Sequence, residues 1–80
     1  MVKVLGYYVD KDVEVKKASA GDAFVISEDE GPRGKYLVGY CPMGQHFELK
    51  DDKYLDVCTK IDKGTYKEIT KGFYTPEDYL

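Results

Sequence analysis

Lys35–Leu49 reads K-Y-L-V-G-Y-C-P-M-G-Q-H-F-E-L. Tyr36, Val38 and Tyr40 alternate with Lys35, Leu37 and Gly39, and after a Pro/Gly break Phe47 and Leu49 alternate with His46, Glu48 and Lys50. A period of two belongs to a strand, whose successive side chains point to opposite faces. Proline fixes its own φ and glycine accepts positive φ, so Pro42–Gln45 supplies turn chemistry. The segment is expected to form a β-hairpin with a loop at Pro42–Gln45. Cys41 would then oppose His46, Tyr40 would oppose Phe47, and Val38 would oppose Leu49. This register gathers Tyr36, Val38, Tyr40, Phe47 and Leu49 on one face and leaves Cys41 and His46 on the other. A slip of one residue would scatter the apolar set.

Working outward, Ala23–Ser27 reads as a strand. Pairing Ser27 with Lys35 would place Ile26 opposite Tyr36 and Phe24 opposite Val38, on the same core face. The intervening E-D-E-G-P-R-G of Glu28–Gly34 reads as a loop. Val2–Val9 is a strand with apolar residues on both faces, so it is central or covered on both sides. Asp10-Lys11-Asp12 is a turn, Val13–Lys16 a short strand, and Tyr54–Lys60 another. The period changes near the C-terminus. Asp62 fits an N-cap, Ile61 and Tyr66 a hydrophobic staple, and Gly72 the residue after the last turn, which predicts a helix over Lys63–Lys71. A strand over Thr65–Thr70 is the competing reading. Thr75-Pro76 opens one further helical turn, whose Tyr79 and Leu80 can dock on an uncovered sheet face. The expected fold is mainly β (α+β): a small twisted antiparallel sheet or SH3-like barrel of about five strands, with a short C-terminal helix.

The chain has 80 residues, which suits one small globular domain over 1–80. A chain of this size buries only about 60–65% of its unfolded surface. Eight tyrosines and three phenylalanines, with no tryptophan, supply the aromatic area. Fifteen acidic and 12 basic residues give a net charge of −3, and Arg33 is the only arginine. Arginine dominates recognition of phosphates and base edges, so this balance opposes general nucleic-acid binding. The N-terminal segment lacks an apolar leader core, and no window approaches the roughly 18–20 apolar residues of a membrane span. A cytoplasmic location without membrane contact is expected, with both cysteines as free thiols.

Three constellations bear on chemistry. Cys41, His46 and Cys58 could hold zinc with Asp56 or Asp62, although the C-x4-H-x11-C spacing lacks the paired knuckle of structural zinc sites. A Cys41–Cys58 disulfide and a pair of unlinked thiols are the other readings. The acidic clusters Glu28-Asp29-Glu30 and Asp51-Asp52 do not match a calcium loop. No phosphate-binding loop and no nucleophile–base pair is recognisable, so no catalytic residue is assigned and no cofactor beyond zinc is considered.

Gly21-Asp22-x-Phe24-x-Ile26 followed by Gly31-Pro32-Arg33-Gly34-Lys35 is loosely similar to the KOW element of SH3-like barrels. The likeness covers about a fifth of the chain. It implies a small twisted barrel, and in that family the loop and strand contact RNA or ribosomal protein. Glu28, Asp29 and Glu30 in this loop would repel phosphate. The function expected from the residues is therefore a non-enzymatic binding or accessory protein acting through a protein partner. Its size and acidity fit the inhibitors or adaptors that phages and mobile elements carry. Candidate contact residues lie at the loop tips: Pro42, Met43 and Gln45 at one, Arg33 and Glu30 at the other. A zinc domain and a nucleic-acid-binding barrel are the alternatives, and pairing of two copies through an edge strand is a further expectation.

Overall fold

The computed structural model describes residues 3–43 and 45–80, and of Gln45 the backbone alone. Val2 of the expected first strand and Gly44 of the expected turn lie outside the described residues. Five strands form one antiparallel sheet: β1 (Lys3–Val9), β2 (Ala23–Gly31), β3 (Gly34–Cys41), β4 (Gln45–Leu49) and β5 (Thr59–Ile61). Their order is β4-β3-β2-β1-β5. The sheet is open, with β4 and β5 at its two edges, so the barrel alternative is not realised. Two short helices, α1 (Lys53–Val57) and α2 (Lys63–Ile69), follow β4 and β5 respectively.

The hairpin forms one residue out of the expected register. Cys41 pairs with Gln45, Tyr40 with His46, Gly39 with Phe47, Val38 with Glu48 and Leu37 with Leu49. The cause lies in the Gly39–Phe47 pair. A β-carbon on residue 39 would sit 2.2 Å from Phe47 Cζ, so the phenyl ring lies across the bare α-carbon of the glycine. Glycine alone leaves room for that packing, and covering it with an aromatic ring offsets what an interior glycine costs a strand. The slip divides the expected apolar set. Tyr36, Val38 and Tyr40 go to one face, while Phe47 and Leu49 go to the other.

The β2–β3 pairing also differs from expectation, by three positions. Ser27 pairs with Val38 rather than Lys35, and the strands run on to the Gly31–Gly34 pair, leaving only Pro32-Arg33 as the turn. Gly34, at φ +108°, takes a backbone conformation that favours glycine. The acidic stretch Glu28-Asp29-Glu30 therefore belongs to β2. Cross-strand partners hold it there: Lys35 Nζ lies 3.6 Å from Glu28 Oε1, and the Tyr36 hydroxyl donates to Asp29 Oδ2 at 3.4 Å.

One expected strand is absent from the sheet, and another joins it only at its C-terminal end. Val13–Lys16 is irregular chain leading into a 3-10 turn at Val15–Lys17. Over Tyr7–Val9, β1 already has β2 on one side and β5 on the other, so no ladder position is free there. Tyr54–Lys60 is mostly α1, with Thr59 and Lys60 in β5. The alternation of Leu55, Val57 and Thr59 imitated a strand, but Val57 is well exposed. The expected helix over Lys63–Lys71 forms as α2. Asp62 Oδ1 accepts the Thr65 amide at 2.7 Å, which holds its carboxyl below the usual carboxylate range. Gly72 has φ +90° just beyond the helix. The final turn forms at Glu77–Tyr79.

Both faces of β2 are buried from Ala23 to Ser27, so the sheet needs cover on both sides. On the first face Tyr7, Ala23, Val25 and Tyr40 pack with Tyr66 of α2 and with Tyr79. A bulge between Val4 and Gly6 turns Val4 toward this cluster. Tyrosine hydroxyls fasten the C-terminal segment here. Tyr7 donates to the Tyr79 carbonyl and Tyr40 to the Tyr74 carbonyl, both at 2.8 Å, and the Tyr66 and Thr75 hydroxyls bond at 3.0 Å. Burial pushes the Tyr66 phenol up to about 12, so it stays neutral. The second face carries Tyr8, Phe24, Ile26, Phe47 and Leu49 and is only partly covered.

Gly39→Ala is expected to lower stability by about 1–3 kcal/mol, because the new methyl group collides with the Phe47 ring. In a Phe47→Ala background the same change should cost much less. Urea denaturation of the four proteins measures this coupling, and equal costs in the two backgrounds would contradict it.

Candidate functional site

The partly covered face holds an apolar groove of about 320 Å³ lined by Asp10, Gly21, Phe24, Cys41, Phe47, Leu49 and Tyr54. Phe24 forms its floor and is the hub of an aromatic cluster. Its ring centroid lies 5.7 Å from Phe47 in an edge arrangement, 5.9 Å from Tyr8 and 6.5 Å from Tyr54. The Gly39–Phe47 packing sets one wall. Helix α1 supplies the other through Tyr54, whose hydroxyl donates to Asp10 Oδ1 at 2.5 Å. Asp51 Oδ1 accepts the Lys53 amide at 2.9 Å at the start of that helix.

Three polar side chains near the groove have raised proton affinities. The bond to Asp10, then burial, drives the Tyr54 phenol far above its ordinary value. Burial pushes the Cys58 thiol up, outweighing the neighbouring Tyr54 hydroxyl and Lys11 amide, which act in the opposite direction. The Tyr8 phenol is raised by burial first, then by Cys58 once that thiol has ionised, and by the carboxylates of Asp52 and Asp56. Tyr8, Tyr54 and Cys58 thus hold their protons beside an acidic rim.

The loop-tip residues identified from sequence do not form one surface. Pro42 and Met43 sit at the β3–β4 turn, and Arg33 with Glu30 at the β2–β3 turn, at opposite ends of β3. Eight residues of strand separate them, roughly 25 Å at about 3.3 Å per residue. Met43 is 56% exposed, and its Cγ would meet a β-carbon on Gly21 at 3.4 Å, so it leans across the rim of the groove. The side chain of Gln45 lies outside the described residues. Arg33 lines a separate cleft of about 270 Å³ with Pro32, Lys35, Tyr36 and Glu48.

The zinc trio is not brought together. The hairpin register puts Cys41 and His46 on opposite faces. Cys41 Sγ lies 3.7 Å from the Ala20 carbonyl, beside the groove. His46 Nε2 lies 3.2 Å from the Tyr79 hydroxyl on the covered face, its ring 4.9 Å from that of Tyr40. Cys58 sits beyond α1, and both cysteines are free thiols. Among the described residues no three His, Cys, Asp or Glu side chains cluster at metal-binding distance. Gly21-Asp22 and Gly31–Gly34, the residues that resemble a KOW element, lead into and out of β2 of an open sheet.

The groove itself was missed in the sequence. Its signal was available in Gly39, a glycine inside an otherwise bulky strand, which marks a place where something packs closely. The chain matches no protein-family model, no curated protein and no solved structure. No helix among the described residues is long and apolar enough to cross a membrane.

In a Cys41→Ser protein, Cys58 should alkylate more slowly at neutral pH than the same thiol in denaturant. The rate should climb only as the pH passes above the ordinary thiol range of about 8.5. Equal rates in the folded and unfolded states would contradict this assignment.

Proposed function

We propose that the chain is a non-enzymatic protein-binding module, and that its groove holds an apolar anchor side chain of a partner segment flanked by basic residues. One observation carries this reading. The C-terminal segment closes one face of the sheet, while the other face leaves aromatic and aliphatic side chains open in a groove of about 320 Å³. Apolar pockets that accept one anchor residue are where binding energy concentrates in protein interfaces. Met43, 56% exposed and beside Gly21, extends the apolar surface at the rim.

Charge selects among partners. Asp10 lines the groove, and Asp51, Asp52 and Asp56 lie on or just before α1. Ion pairs among the described residues are Lys17–Glu14 and Lys35–Glu28, so none of these four carboxylates has a close lysine partner. Lysine or arginine beside the anchor would meet complementary potential, which favours association and register. Of the candidates drawn from sequence, Met43 lies beside this groove, while Arg33 and Glu30 stand apart from it.

Selection from a displayed random-peptide library tests the reading. Enriched peptides should carry a large apolar residue with Lys or Arg nearby. Leu49→Asp should weaken their binding by about tenfold or more, the scale of losing an interface anchor. Asp52→Lys, an exposed change, should weaken it mainly at low salt. The absence of an enriched motif, or full affinity in both folded variants, would overturn the proposal.

A further inference from the structure

The open edge of β4 is self-complementary. β4 pairs with β3 on one side, and among the described residues nothing pairs with the other. The opposite edge is less suited to pairing, since β5 has three residues and α1 lies directly before it. Exposed strand edges present unpaired N–H and C=O groups that invite another strand.

We propose that two copies of this chain join through β4 as an antiparallel pair centred on Phe47, making one continuous ten-stranded sheet. Opposed residues in an antiparallel pair share a face, so a two-fold axis normal to the sheet must pass through a residue position. Three centres are available. A centre at Glu48 sets two carboxylates against each other, and a centre at His46 sets imidazole against imidazole. The centre at Phe47 places His46 of each copy opposite Glu48 of the other, twice over, and aligns Gln45 with Leu49. All five residues of β4 then pair. His46 and Glu48 are both exposed. His46 Nε2 lies against the Tyr79 hydroxyl, which leaves Nδ1 to face the carboxylate. The Phe47 ring folds back over Gly39 toward Phe24, away from the edge, so it leaves the backbone groups accessible.

The dimer would set the two apolar grooves on the same face, one on each side of the axis, since Phe47 and Leu49 belong to both the groove and the pairing strand. A bivalent surface follows, able to hold two anchors of one partner. Five residues a side falls far short of the roughly 20–30 of stable complexes, so the association should be weak.

Sedimentation velocity across about 10 µM to about 1 mM should show the wild-type mass rising from one chain toward two, as expected for so small an interface. Glu48→Lys, an exposed change, should hold the protein at one chain over the same range. Amide exchange provides a second readout: β4 amides should slow as concentration rises while β5 amides do not change. A wild-type chain monomeric throughout, a Glu48→Lys protein that associates equally well, or protection arising at β5 would each overturn the proposal. Protection of β4 that appears only with an added foreign peptide would also overturn it, assigning the edge to another protein's strand. Peptide capture by a monomeric protein would leave the groove reading intact while removing this one.

Discussion

The Phe47 ring lying across Gly39 is the contact on which the rest of the arrangement depends. It is a local event, one aromatic side chain filling the space that a missing β-carbon leaves. Strand pairing has a period of two, however, so fixing one pair fixes the face of every residue in the hairpin. Tyr40 and His46 fall on the side closed by the C-terminal segment. Phe47 and Leu49 fall on the other, where they build the groove over Phe24. Cys41 and His46, neighbours in the expected register, end on opposite sides of the sheet.

The two faces are finished by different means. One is closed by the chain itself, through rings that stack and hydroxyls that donate to backbone carbonyls. The stacked Tyr40–Tyr79 pair, 5.2 Å apart and 15° from parallel, shows how tyrosine serves both purposes. The buried Thr70 and Ser27 hydroxyls also find backbone acceptors, at Tyr66 and Val38. The other face receives the short helix α1 and the turn at Ala20–Asp22. The shortfall of cover there, with Asp10 at the groove, is what makes that face the candidate for recognition.

Local signals in the sequence were legible, and long-range ones were not. Asp62, Ile61, Tyr66 and Gly72 specified α2 because capping acts within one turn. Thr75-Pro76 likewise announced the last turn, and alternation located the four longer strands. Maximising one apolar face gives the wrong register for both hairpins, because this sheet is buried on both faces. Alternation cannot distinguish these cases when Leu37 and Val25 sit opposite Tyr36 and Phe24 in the pleat. Val13–Lys16 carries strand-like alternation without a free ladder position, and Tyr54–Lys60 joins the sheet only at Thr59 and Lys60, which only the topology decides. The groove escaped notice for a related reason. It joins residues from four separate segments, and only Gly39 hinted at close packing.

Cross-strand contacts between β3 and β4, measured by NMR on the isotopically labelled protein, test this account most directly. Hα and ring contacts should link Gly39 with Phe47 and Tyr40 with His46, and the Gly39 Hα resonances should be displaced strongly by the ring above them. Contacts linking Tyr40 with Phe47 and Cys41 with His46 would contradict it, returning the apolar set to a single face and dissolving the groove.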